Sequence, residues 1–117
     1  MVTVEEVRRI ACELPRSYEA VVRDRVKVRV GRLVYLAFSR DESVMGFAFP
    51  RGERELLVAS QPHKFLMPGK SDLRYQWVEV RLDAIDLAEL RALVLEAWSM
   101  VVPKSVAASY TGSISTA

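Results

Sequence analysis

Apolar and polar positions alternate from Tyr75 to Leu82. Gln76, Val78, Val80 and Leu82 share one face, and Tyr75, Trp77, Glu79 and Arg81 share the other, the period-2 pattern of a half-buried strand. The period then lengthens. Leu87, Leu90, Val94, Ala97, Trp98 and Val101 recur at three- and four-residue spacing and form one apolar helical face. Asp86 is positioned as the N-cap, with Glu89 three residues on to complete a capping box. Pro103 forces Val102 out of helical geometry and ends the helix. Its apolar face needs a sheet to cover, so Trp98 is expected in a helix–sheet seam.

Upstream, Thr3 and Glu6 open a first helix in which Val4, Val7, Ile10, Ala11 and Leu14 share a face, closed by Pro15. Val26, Val28 and Val30 alternate with Lys27 and Arg29 in a first strand. Gly31-Arg32 then supplies a two-residue loop with glycine first, suited to a type II′ turn. Leu33 to Phe38 is apolar at nearly every position and is expected inside the sheet, covered on both faces. Val44 to Phe49 reads as a third strand, with Gly46 a bulge or a point of close approach. Arg51 to Ser60 reads as a short helix packing through Leu56, Leu57 and Ala59. Pro62, Pro68 and Gly69 interrupt the segment that follows, in which Phe65, Leu66 and Met67 suit a short edge strand. The expected fold is therefore α+β: an antiparallel sheet of four to five strands flanked by N- and C-terminal helices, in the order α-β-β-β-α-(β)-β-α. One domain over residues 1–107 is expected, with a disordered, hydroxyl-rich tail from 108 to 117.

A chain of 117 residues, 27% charged, holds one real core. Its net charge of +2 permits an acidic partner without demanding one. The distribution says more. Arg16 to Arg32 carries six basic residues against two acidic ones, whereas Asp83 to Glu96 carries four acidic residues against one arginine. With Glu5 and Glu6 where a secretory signal is positive, and no apolar run of the ~20 residues a membrane span needs, a cytoplasmic protein with no membrane partner is expected.

Little of the sequence points to reaction chemistry. Cys12 is the only cysteine, and the expectation for it is a small buried hydrophobe. One cysteine and one histidine, His63, do not supply a zinc site, and His63 reads as a solvated loop residue. Pro68-Gly69-Lys70-Ser71 lacks the upstream glycine and apolar strand of a phosphate-binding loop. Asp83, Asp86 and Glu89 are explained as turn and cap residues. No catalytic residue, metal or cofactor is expected.

The cationic strand face carries the functional content. Arg25, Lys27 and Arg29 project together at intervals of about 6.6 to 7 Å, near the spacing of phosphates along one DNA strand, so that a β-ribbon could track a backbone. Together with Arg32 they form a candidate nucleic-acid ribbon that Lys64, Lys70 and Arg74 extend. The ordinary alternative is that lysine and arginine protect a sheet edge from pairing with another chain. Tyr75 and Trp77 share a face and form a candidate stacking platform or pocket; the ordinary alternative places Trp77 under a helix. The competing binding reading is a protein-interaction or chaperone-like adaptor module that presents a sheet face, or the apolar loop around Phe65, Leu66 and Met67, to a protein partner. A small-molecule enzyme would need a concave pocket beside Tyr75 and Trp77 with a titratable group in it.

Four stretches together carry a likeness to a known family: Glu13-Leu14-Pro15; Val28-Arg29-Val30-Gly31-Arg32-Leu33; Trp77-Val78-Glu79-Val80 running into Leu82-Asp83; and Ala97-Trp98 through Pro103-Lys104. In order and spacing the chain resembles the MmcQ/YjbR family of small bacterial proteins over about residues 4 to 107. The resemblance implies a compact α+β fold similar to secretion chaperones. It also implies a DNA-binding role by likeness to a double-wing arrangement, and no reaction. The chain departs from the family where many members carry an aromatic or Trp-Gly element before the first strand; here Arg23-Asp24-Arg25 stands there.

Overall fold

The computed structural model describes the backbone of residues 1–115 and side chains as far as Tyr110. Helix α1 (Val4–Cys12) is fixed by a complete capping box: the Glu6 backbone N–H donates to the Thr3 hydroxyl at 3.2 Å, and Glu6 Oε1 accepts from the Thr3 N–H at 3.0 Å. There follow β1 (Ser17–Val22), β2 (Arg25–Val30), β3 (Leu33–Phe38), β4 (Val44–Ala48), α2 (Arg54–Ser60), β5 (Phe65–Leu66), β6 (Trp77–Arg81), α3 (Leu87–Ser99) and α4 (Lys104–Ser115). The strands form one antiparallel sheet in the order β1-β2-β3-β4-β6-β5. The expected α+β class is what the chain adopts.

Six strands exceed the four or five expected because Ser17–Val22 also pairs. It joins β2 through Arg23 and Asp24, both with positive φ (52° and 65°) and flanked by the pair Val22 and Arg25. This is a type I′ connection made without the usual Asn-Gly. The outcome moves β2 into the sheet interior, so its Lys27 and Arg29 do not guard an edge. In the next loop only Gly31 has positive φ, as a type II′ turn requires. Between Val28 and Arg29 the register with β3 slips, which lets adjacent residues Tyr35 and Leu36 both be fully buried. The Tyr35 hydroxyl bonds Ser17 Oγ at 2.7 Å, and burial pushes its phenol up to about 12.

Helices α1 and α3 cover one face of the sheet, where Val28, Val30, Leu36, Met45, Phe47, Val78 and Val80 point. Trp98 lies in this seam with no exposed surface; its Nε1–H donates to the Pro15 carbonyl at 2.8 Å. Strand β3 was expected to be covered on both faces, but the helices suffice for one, and Val34 and Ala37 on the other side stay half-exposed. Asp86 caps α3 by accepting from the Glu89 N–H at 2.8 Å. The Glu89 carboxylate does not reach back; it pairs with Lys64 Nζ at 2.8 Å and so ties α3 to the residue preceding β5.

One further expectation gives way. The short helix does not pack through Leu56, which is 77% exposed; Arg54, at 6%, is its buried residue. After Pro103 the chain continues as α4, whose Tyr110 packs edge-on against Trp98 with ring centroids 5.2 Å apart. Residues 116 and 117 lie outside the described ones.

Strand β1 is tied to α1 by a bidentate pair, Arg8 Nε to Glu19 Oε2 at 2.9 Å and Arg8 Nη2 to Glu19 Oε1 at 2.8 Å. The Arg8 guanidinium holds the Glu19 carboxyl below the usual range. A depressed folded-state pKa contributes stability above the unfolded-state value, lost as pH falls through the folded-state one. Glu19→Gln should therefore cost about 0.5 kcal/mol near neutral pH, the scale of a part-exposed pair. Thermal melts of both proteins should converge as the pH drops below the carboxylate range. A difference that persists undiminished in acid would assign the effect to packing instead.

Candidate binding trough on the open sheet face

Among the described residues, side chains that point away from α1 and α3 meet no helix layer on the other face of the sheet. Strand register places Ala20, Lys27, Ala37, Gly46, Glu79 and Leu66 in one row across all six strands. The middle of that row is nearly without side chains. With Ala48 beside it, Ala37 and Gly46 make the floor of a trough of about 1050 Å³. Arg25 and Lys27 of β2, with Arg32 and Arg40 from the flanking turns, line one side. Tyr75, Trp77, Glu79 and Asp72 line the other.

Gly46 matters for lack of a β-carbon. An added Cβ would lie 2.6 Å from Trp77 Nε1 and 2.7 Å from Cζ2, so the indole occupies the space a side chain would take. The expectation of a close approach at Gly46 is met, and Trp77 is the group that approaches. Trp77 is thus on the open face, not under a helix, because α1 and α3 both lie on the side of Val78 and Val80.

The segment carrying Tyr75 and Trp77 is held from below by Arg54. Its guanidinium donates to the carbonyls of Leu73, Tyr75 (2.9 Å) and Trp77 (3.3 Å), while Arg51 donates to the Arg74 carbonyl at 2.8 Å. Carbonyls leading into a strand have no ladder partner, and each left buried without a donor costs roughly 1–3 kcal/mol. Sequence reading overlooked Arg54. The available signal was its place at i, i+3, i+4 spacing with Leu57 and Val58, both packed against the core.

The candidate cations divide. Arg25, Lys27 and Arg32 line the trough, and among the described residues none of them makes an ion pair. Arg29 lies half-buried in register with Tyr18 and Val34, with its Nε buried and unpartnered among the described residues. Lys64 is taken up by Glu89 on the helix side. Arg74 stacks over the Tyr75 ring at 4.9 Å and donates to its hydroxyl at 2.9 Å, and Lys70 is exposed on a short 3-10 turn. In the sequence Glu79 is one position of an alternation and of a family-like stretch, with no site role assigned to it. Burial, and secondarily Asp72, push its carboxyl above the usual range, and among the described residues it has no hydrogen-bond or ion-pair partner.

Elsewhere, Cys12 is exposed rather than buried, because it falls at the edge of the apolar stripe of α1. Its thiol contacts Glu19 Oε2 at 3.5 Å and is pushed up by partial desolvation on its inner side and by that carboxylate, which disfavours the thiolate. His63 is exposed in a turn. Among the described residues no group of three His, Cys, Asp or Glu is placed to hold a metal ion, and no helix is long and apolar enough to cross a membrane.

No functionally curated protein matches the chain. Among solved structures, it is similar to Deinococcus radiodurans protein DR2400, described by the domain DUF419. The two are 24% identical, with 90% of this chain and 82% of that chain covered and a TM-score of 0.74, a likeness of fold. The family model described as YjbR matches residues 12–100. With most of its length matched, including β1 to β6 and α3, the chain belongs to the YjbR family.

Proposed function

We propose that the protein is a non-enzymatic nucleic-acid-binding module that seats an extended DNA strand in the open-face trough. Phosphates would lie along Arg25, Lys27, Arg32 and Arg40, and bases against Trp77 and Tyr75. The observation that carries this reading is the pairing of four cations without ion-pair partners, among the described residues, with two aromatic rings in one trough. Cations that stabilised the fold would be expected to face carboxylates. These face solvent across a floor of small residues, the combination that single-strand binders use to track a backbone and stack bases. Most of the affinity would be independent of sequence.

For the protein-docking alternative, Phe65 is 4% exposed and belongs to the core, while Leu66 and Met67 stay half-exposed and the open sheet face offers the other surface for a partner. The small-molecule reading gains support, because a concave pocket beside Trp77 does hold a titratable group. One carboxylate with no hydrogen-bonded partner favours binding over general acid–base chemistry, which needs a second positioned group.

Fluorescence anisotropy of a labelled oligothymidylate across a salt series tests the reading. Arg25→Ala/Lys27→Ala should weaken binding about tenfold and flatten the log–log salt slope by roughly 1.4, two phosphate contacts at about 0.7 each, with Tm nearly unchanged. Equal affinity in both proteins would remove the cationic wall from function. Gly46→Val should displace the indole and match the loss seen with Trp77→Ala, about 1–3 kcal/mol for one stacked base. Wild-type affinity in both variants would rule out stacking on Trp77.

A further inference from the structure

A carboxylate in a phosphate-binding trough is unfavourable unless it meets something other than phosphate. Glu79 stands on the wall of this one opposite the cations. It stands in register with Gly46, over which the Trp77 indole lies, and shares its strand face with Trp77 two residues earlier. Across the floor, three strand spacings away and so roughly 14 Å between Cα atoms, is Lys27. Both side chains are unpaired among the described residues. Both belong to the same row and rise from the same face of the sheet. Trp77 Nε1–H likewise has no acceptor among the described residues and lies above Gly46, the residue paired with Glu79.

We infer that Glu79 reads one base of the bound strand and selects guanine, an inference that rests on the trough being a nucleic-acid surface. The chemistry is one of matching edges. An ionised carboxylate only accepts hydrogen bonds, on two oxygens side by side. Guanine alone among the four DNA bases presents two adjacent donors on its pairing edge, N1–H and N2–H₂, with the O6 acceptor next to them. Glu79 takes the two donors, and Lys27 or the Trp77 N–H donates to O6. Adenine and cytosine would set a ring-nitrogen lone pair against the carboxylate, and thymine would set a carbonyl there. The elevated carboxyl of Glu79 accords with this role, since burial beside Asp72 without a donor is a cost that a donor-bearing base relieves. Selectivity then comes from one position, while the cations supply affinity without regard to sequence.

The test uses labelled dodecathymidylate and the same strand with one central guanine, adenine, cytosine or inosine, titrated against wild type, Glu79→Gln and Glu79→Ala. The guanine strand should bind wild type roughly tenfold tighter than the others, the scale of one bidentate base contact. Inosine, which lacks the 2-amino group, should fall between guanine and thymine. Both variants should lose the guanine preference while binding dodecathymidylate at least as well as wild type, and Glu79→Gln, now donor and acceptor, should shift toward adenine. Tight binding of all strands alike by wild type, or a guanine preference that survives in Glu79→Gln, would overturn the role of Glu79 and leave the nucleic-acid surface standing. Failure of every strand to bind at low salt would overturn both.

Discussion

A six-stranded sheet has two faces, and the two helices packed on this one cover a single face. Everything else follows from that imbalance. On the covered side the ordinary rules of a core apply: Trp98 closes the seam between helix and sheet, and valines from β2 and β6 meet Leu36 and Phe47 between them. The uncovered side has to live in water. Large apolar residues there would have made an exposed patch prone to association. The chain instead places Ala37, Gly46 and Ala48 at the centre and charges at the margins. Small residues at the centre of a twisted sheet leave a depression, so the solution to a solubility problem is also a concave site.

The indole of Trp77 is the exception that gives the depression its character. It lies on the open face only because Gly46 has no side chain, and it is kept there because Arg54 grips the backbone carbonyls on both sides of Tyr75. A buried guanidinium bound to carbonyls rather than to a carboxylate is a demanding arrangement, since desolvation of the charge must be offset by those hydrogen bonds alone. Its return is a rigid entry into β6, which orients Tyr75, Trp77 and Glu79 together.

How much of this was legible in the sequence depended on whether the deciding contact was local. Capping at Thr3, the Gly31 turn and the alternation through Trp77–Arg81 are set by neighbours in the chain, and each appears where the pattern placed it. Strand β1 was missed because its turn, Arg23-Asp24, adopts left-handed geometry without glycine or asparagine. That omission made β2 look like an edge strand and its cations like edge protection. Of the site, Arg25, Lys27, Arg32, Tyr75 and Trp77 were recognisable as residue types. That they meet across one floor was not, because β3 and β4 supply the register between them. Glu79 and Arg54 gave no local signal beyond periodicity; the first acquires meaning from Gly46 opposite, the second from carbonyls about twenty residues away.

The segregation of charge noted along the chain becomes a polarity of the molecule once folded. The basic block of β2 and its turns faces the open side, while Asp86, Glu89 and Glu96 belong to α3 and its cap on the covered side. The Lys64–Glu89 pair removes one cation from any role near the trough and neutralises one of the helix acids in place. A net charge of +2 therefore understates the field a polyanion meets at the trough and overstates the one it meets at α3. Opposed charge of this kind orients an approaching partner before contact and weakens with salt over a Debye length of about 10 Å at 0.1 M. Glu79 and Asp72 stand against that field inside the trough itself. Set on the wall opposite the cations, beside the indole, they leave the cationic wall itself free of carboxylates.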